Sequence, residues 1–190
     1  MNAVTSFAMA GRQKLGLRAA DFLMLSDAGA FDGYARTELL EGEIWAVNAI
    51  HSWHAKTVAD LTIDLGYLLR SLNNGLRIFS ASSVLLSDDS VPEPDLSIGE
   101  DNDEGILPLA KLKLAIEVSD STATTDLGVK LRLYAGAGVP EYWVVERDTR
   151  TVHQFWAPSD GAYAGQRAVP FGERVEAVTI AQVGAETERM

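Results

Sequence analysis

The chain has 190 residues, 47% of them hydrophobic and 23% charged, the proportions of an ordinary globular protein with one sizeable core. The sequence argues against membrane insertion and export, because no apolar run approaches roughly 18 residues and the N-terminus lacks a signal-peptide core. The absence of cysteine excludes disulfides and thiolate metal sites, and the net charge of −11 opposes the basic surface expected of a nucleic-acid-binding protein.

The predicted domain organisation is simple. Neither an internal repeat nor a low-complexity linker divides the chain, so we expect one domain over residues 17–182. Residues 1–16 are expected to form a flexible N-terminal segment, and residues 183–190 a polar tail that frays. A cytoplasmic location without a membrane partner fits this composition.

Two helices are predicted in the first part of the domain. A short one near Ala19–Ser26 ends at a turn signal around Gly29. A long one covers Trp53–Leu72, where apolar residues recur at helical spacing and predict an amphipathic helix that packs on a sheet.

Between these helices, the letters TELLEGEIWAV alternate as a β-hairpin with Glu41-Gly42 as its two-residue turn. In such a hairpin Leu40 faces Glu43, and alternation places Glu38 and Trp45 on that same side. The hairpin therefore presents two acids on one face.

A strand is predicted at Leu76–Leu86, followed by an acidic stretch and a short strand at Pro94–Ile98. Eight acids but no Lys or Arg lie between Asp88 and Glu104. Most of them are explained as a solvated loop, although one or two could hold a divalent cation. Only Asp95, beside the predicted strand, has a local context that singles it out.

The segment Leu112–Ser119 alternates cleanly, with apolar residues on one face and Glu117 on the other. A helix then runs to about Ala137, and short strands are predicted at Tyr142–Val145, Thr151–Trp156 and Arg174–Ile180. This order of elements predicts an α/β fold, a mixed β-sheet flanked by helices.

Asp95 and Glu117 can converge if their two strands are neighbours. Two carboxylates a few ångströms apart repel each other unless a cation lies between them. Oxygen-only ligands without cysteine favour Mg²⁺ or Mn²⁺ over zinc. Such an ion activates water and stabilises charge on a phosphoryl oxygen.

The helix after Glu117 offers a third group. Asp126, Lys130 and Tyr134 lie at i, i+4 and i+8 and therefore share one face. A lysine directed at the acids could offset developing phosphoryl charge. The alternative, which the spacing alone favours, is a surface ion pair between Asp126 and Lys130.

A family resemblance bears on this choice. The letters PDLSI and LAIEVSDSTATTDLGVKLRLYAGAGVPEYWVVERDTRTVHQF resemble the signature of the proteins described as putative restriction endonucleases, within the PD-(D/E)xK superfamily. ELLEGEI resembles the ELxxGE motif of that family, and HSWHAK the histidine that opens its long helix. The resemblance runs from about Leu17 to Phe155.

Carried over by position, the resemblance makes Asp95 and Glu117 the metal ligands. The lysine of the superfamily usually lies two residues after the acid, where this chain has Ser119. The resemblance instead assigns that lysine to Lys130 on the following helix.

Three further residues match family positions. Glu38 and Glu43 are similar to family acids that complete a metal shell, with exposed hairpin carboxylates as the alternative. His54 is a candidate base or orienting residue, with an ordinary helix-end histidine as the alternative.

The resemblance implies a restriction-endonuclease-like core and a Mg²⁺- or Mn²⁺-dependent endonuclease acting on DNA, with a homodimer expected by analogy. Two other functions stay open. A binding or regulatory module with little catalysis is favoured by the charge of −11, and a hydrolase of another phosphoester uses the same groups.

Overall fold

The computed structural model describes residues 14–47, 51–103 and 105–190. Helix α1 spans Ala19–Asp27 and α2 spans Ser52–Leu72. Helix α3 is composite: Ala123–Thr125 leads into a π-helical turn, Asp126–Lys130, and then Leu131–Ala137. None of the helices in the described ranges has the length and apolar character needed to cross a membrane.

Twelve strands occur within the described ranges. They are β1 Arg36–Leu40, β2 Glu43–Val47, β3 Leu76–Ser80, β4 Val84–Leu85, β5 Leu96–Glu100, β6 Leu107–Pro108, β7 Leu112–Ser119, β8 Glu141–Glu146, β9 Thr151–Ser159, β10 Ala162–Pro170, β11 Arg174–Glu176 and β12 Gly184–Glu186.

Six strands form the central sheet in the order β10-β9-β8-β7-β5-β3. Strands β7 and β8 pair in parallel, and the other neighbours pair antiparallel. The parallel pair requires a crossover, which α3 supplies between β7 and β8. The predicted α/β fold, a mixed sheet flanked by helices, is confirmed.

Strand β7 separates two hydrophobic clusters, as its alternation predicts. Ile116 and its apolar neighbours pack with Leu61 and Leu65 of α2 on one face. Ala115 packs on the other face with Tyr134 of α3 and Tyr142 of β8. Each fully buried large apolar side chain stabilises the fold by about 1.5–3 kcal/mol, so the sheet is fixed from both sides.

The β1–β2 hairpin forms with the predicted register. Glu41 and Gly42 both have positive φ, 51° and 77°, as a type I′ turn requires. Leu40 pairs with Glu43, and Glu38 pairs with Trp45. Backbone hydrogen bonds between Leu39 and Val91 attach the hairpin to the segment before β5.

The predicted strand Leu76–Leu86 is interrupted in the structure. Ala81 adopts a positive φ of 48°, which ends β3, and only two residues of the remainder form β4. Strand β10 was not predicted from the sequence. Most of its residues are short or polar and exposed, a composition that is also typical of a loop.

The polar tail expected at residues 183–190 differs in the structure. Gly184–Glu186 forms β12 and pairs with β11. Val183 and Ala185 are buried in the cluster that contains α2, so alternate apolar residues anchor a segment whose overall composition is polar. Of the segment expected to be flexible, residues 1–13 lie outside the described ranges.

We expect Gly99→Ala to lower the free energy of unfolding by about 1–3 kcal/mol. Gly99 lies at the bulge between β5 and β7, and an added Cβ would meet the Lys111 carbonyl oxygen at 2.7 Å. Urea unfolding followed by tryptophan fluorescence measures the change.

Gly136→Ala is the control. The added Cβ meets nothing within 4 Å, so replacing this helical glycine should raise the free energy of unfolding by about 0.5–1 kcal/mol. Equal stability of Gly99→Ala and wild type would contradict the tight strand contact.

Candidate active site

A pocket of about 200 Å³ lies between the β1–β2 hairpin, the start of α2, the end of β7 and the first turns of α3. Five of the six site residues predicted from the sequence line it: Glu38, His54, Asp95, Glu117 and Lys130. With Asp95 from the segment before β5, five separate parts of the chain contribute to one concave site, the usual arrangement of a ligand site.

Asp95 and Glu117 meet because their strands are neighbours. Asp95 immediately precedes β5, Glu117 lies within β7, and the register pairs Leu96 with Ile116. The two acids are only 5% and 2% exposed. They form the floor of the pocket.

Three donors hold the Asp95 carboxylate. Arg36 Nη1 donates to Oδ1 at 3.0 Å, the Val118 amide donates to Oδ2 at 2.8 Å, and His54 Nε2 lies 3.1 Å from Oδ2. Burial disfavours the charged form, but His54, Arg36 and the Val118 amide together lower the pKa of Asp95. Asp95 is therefore ionised and fixed in one orientation.

Lys130 connects two other carboxylates. Its Nζ donates to Glu38 Oε1 at 2.8 Å and to Glu117 Oε1 at 3.0 Å, and the Tyr134 hydroxyl donates to the same Glu117 oxygen at 3.3 Å. Burial opposes the ammonium, but attraction to Glu117, Glu38 and Asp126 raises the pKa of Lys130. Burial raises the pKa of Glu117 well above its ordinary value, against the opposing effect of Lys130.

The π-helical turn of α3 brings Asp126 and Lys130 inside, with each residue 3% exposed. Asp126 accepts a hydrogen bond from Thr122 Oγ1 at 2.5 Å, and burial raises the pKa of Asp126. The surface ion pair, which the spacing alone favoured, is therefore wrong. Turns of this type occur often at functional sites.

The pocket contains more carboxylates than permanent cations. Its buried acids are Glu38, Asp95, Glu117 and Asp126. Among the described residues that line the pocket, only Arg36 and Lys130 carry permanent positive charge. Burial is the main cause of the raised pKa values of Glu117 and Asp126, and neighbouring acids raise them further. The excess of negative charge makes the site receptive to a cation or a proton.

The donor atoms fit a divalent cation of the Mg²⁺ type. Among the described residues, both hydrogen bonds to the Glu117 carboxylate go to Oε1, which leaves Oε2 available to a ligand. No group of three His, Asp or Glu side chains among the described residues forms a ready-made metal cage. Mg²⁺ characteristically needs only one or two carboxylates and takes its other ligands from water and substrate.

Glu43 does not join the cluster. Its side chain is about half exposed and pairs with Lys14, outside the residues that line the pocket. Glu43 follows the turn on β2, whereas Glu38 points inward from the middle of β1. Glu43 is therefore an exposed hairpin carboxylate, which was the alternative interpretation, whereas Glu38 is buried at the site.

Arg36 is a site residue that sequence reasoning missed. It lies two residues before Glu38 in β1, and residues i and i+2 of a strand share a face. That spacing could have identified it. His51, at the N-terminus of α2, was also passed over; its Nδ1 lies 2.6 Å from Asp120 Oδ2 at the pocket wall.

The acid Glu93 predicts a pH dependence of stability. Burial, opposed by Arg36 and reinforced by Glu38, raises the pKa of Glu93 to about 7 from 4.5. A group with a raised folded-state pKa contributes stability that is complete below the unfolded pKa and is lost as pH rises through the folded one. Wild type should therefore lose stability between about pH 4.5 and 7 from this group.

We expect Glu93→Gln to remove that loss. The difference in free energy of unfolding, variant minus wild type, should increase with pH across this window by at most about 3 kcal/mol, at 1.36 kcal/mol per pKa unit. Urea unfolding at a series of pH values measures it, with Glu43→Gln as the control for an exposed carboxylate. A difference that stays flat with pH would contradict the raised pKa.

Comparisons with known proteins identify the family and the fold. The model of the Uma2 family, described as "Putative restriction endonuclease", matches residues 20–188. The structure is similar to the crystal structure of a protein from Anabaena variabilis titled a putative nuclease of DUF820, with a TM-score of 0.70, 14% identity, and coverage of 91% of this chain and 96% of that one. No curated protein matches the sequence. Because the family match spans almost the whole chain, this protein belongs to the Uma2 family of restriction-endonuclease-like proteins.

Proposed function

We propose that this protein is a metal-dependent endonuclease that hydrolyses phosphodiester bonds in DNA. The family and the fold are those of restriction-endonuclease-like proteins. The observation that carries the proposal is the convergence of Asp95, Glu117 and Lys130, from two strands and a helix, in one pocket. Two acids and a buried ammonium are a suitable set for phosphoryl chemistry.

Asp95 and Glu117 would hold Mg²⁺ or Mn²⁺, with the inward-facing Glu38 as a further candidate ligand. When bound, the ion would polarise the phosphoryl oxygens and lower the pKa of water. The open Glu117 oxygen and the excess of carboxylates support this assignment. Glu43 is not retained as a ligand, because it pairs with Lys14 outside the pocket.

The protein side chains have separate tasks. Lys130 stays protonated because its pKa is raised, so it acts as a fixed positive charge beside the phosphate and not as a base. Glu38 holds the Lys130 ammonium at 2.8 Å. Arg36 and His54 fix the Asp95 carboxylate, and pre-set groups of this kind stabilise a transition state without reorganising during the reaction.

Glu117→Gln and Asp95→Asn should each lower Mg²⁺-dependent DNA cleavage by about 100-fold or more, because each replaces an anionic metal ligand with a neutral amide that holds the ion more weakly. The assay compares the rates of strand cleavage of plasmid and single-stranded DNA in Mg²⁺ and Mn²⁺. Glu43→Gln is the matched control and should cleave as wild type does, since that acid lies outside the pocket.

These two variants test catalysis more cleanly than Lys130→Ala. Lys130 is 3% exposed between Glu38 and Glu117, so deleting it leaves buried carboxylates uncompensated at about 3–5 kcal/mol. Thermal unfolding checks that each variant is folded. Unchanged cleavage by folded Glu117→Gln and Asp95→Asn would contradict the proposed site.

A binding module with the same fold is the second candidate. It is favoured by the net charge of −11, which weakens attraction to a phosphate backbone, and by the fact that Lys130, Arg36 and His54 already partner the acids. Calorimetric titration of Mg²⁺ separates the two candidates: the enzyme binds the ion and Asp95→Asn does not, whereas the module binds it in neither form. The homodimer expected by analogy stays a prediction.

A further inference from the structure

We infer that Trp45 is a base-stacking residue, and that the substrate is therefore a nucleic-acid strand with unpaired bases. The inference rests on the proposed function, because it gives the substrate class of that same pocket. It depends on the position of one exposed indole beside the buried acids.

Trp45 differs from the other tryptophans in exposure. It is 45% exposed, Trp143 is fully buried, and Trp53 and Trp156 are half-buried. Trp45 also lines the pocket. A large exposed apolar side chain at the mouth of a polar site indicates a contact surface for a ligand.

The hairpin register places this indole next to the inner site. Trp45 on β2 is the direct cross-strand partner of Glu38 on β1, and directly opposite residues project from the same face. Glu38 bonds Lys130 at the pocket floor at 2.8 Å. The indole is therefore beside Glu38, the residue that bonds the ammonium proposed to face the phosphate.

The charges of the pocket explain why stacking is needed. Arg36 and Lys130 are buried and already paired with acids, and the chain as a whole carries −11. The electrostatic attraction that dominates binding of most nucleic-acid proteins is therefore weak here. Base–aromatic stacking supplies affinity that depends little on charge and tolerates any base.

The depth of the acids determines which strand can bind. Asp95 and Glu117 are 5% and 2% exposed, so the scissile phosphate has to enter a pocket of about 200 Å³. A strand in this position can turn its adjacent base onto Trp45 only if that base is free of a pairing partner. A regular duplex keeps its bases stacked and paired inside the helix, away from the indole.

The test measures binding by fluorescence anisotropy in Mg²⁺, using Glu117→Gln protein to prevent cleavage. The probes are a labelled single-stranded oligonucleotide, its duplex, and an oligomer of equal length in which tetrahydrofuran replaces every base. We expect the single strand to bind more tightly than either other probe. Adding Trp45→Ala should weaken single-strand binding by about 5- to 150-fold and leave the abasic oligomer unchanged.

Two further variants identify the cause. Trp45→Phe keeps an aromatic face and should retain most of the single-strand affinity. Tyr67→Ala removes an even more exposed aromatic residue that lies on α2 outside this pocket, and it should have no effect. Absence of single-strand binding, equal binding of natural and abasic oligomers, or no loss in Trp45→Ala overturns the inference.

Cleavage by the protein with Glu117 intact separates this inference from the proposed function. Cleavage that does not depend on Trp45 overturns the stacking role and leaves the nuclease in place. Trp45-dependent binding of single strands without cleavage of any probe supports the stacking role and overturns the nuclease.

Discussion

The Lys130 ammonium, shared between Glu38 and Glu117, is the interaction on which the site depends. Its two hydrogen bonds, at 2.8 and 3.0 Å, join the β1–β2 hairpin, strand β7 and helix α3. All three residues are 3% exposed or less. Without the ammonium, two buried acids would repel across the same space, and the hairpin would lose one of its polar attachments to the sheet.

An arrangement of this kind costs more to bury than an apolar one of equal volume. The fold offsets that cost with two hydrophobic clusters on either side of the sheet. Even so, the acids exceed the cations, and the pKa values of Glu117 and Asp126 are raised as a result of burial. Charge imbalance in a buried pocket is typical of sites that bind an ion or transfer a proton.

Local patterns in the sequence predicted the parts of the fold whose physics is local. The alternation of Leu112–Ser119 gave the correct faces for β7, and Glu41-Gly42 fixed the hairpin register because a two-residue turn permits one pairing. Strand β10 and the C-terminal β12 were not predicted, since each depends on a partner strand and not on its own composition.

Within the site, too, the sequence predicted some features and could not predict others. The sequence indicated Asp95, Glu117 and Lys130, and the structure brings them into one pocket. It did not reveal that Asp126 is buried, because an i, i+4 pair has the same spacing on an inner or an outer face and the π-helical turn rotates it inward. Nor did it separate Glu38 from Glu43, a distinction set by their different positions along the hairpin.

The central claim is that Asp95 and Glu117 bind one shared divalent cation beside Lys130. A crystal structure of the protein soaked in Mn²⁺, with anomalous data collected at the manganese edge, tests it directly. We predict one strong anomalous peak bridging the Asp95 and Glu117 carboxylates. The account would be contradicted by an anomalous peak found only among the exposed acidic residues that precede β7. It would equally be contradicted by the absence of a peak between Asp95 and Glu117 at saturating Mn²⁺.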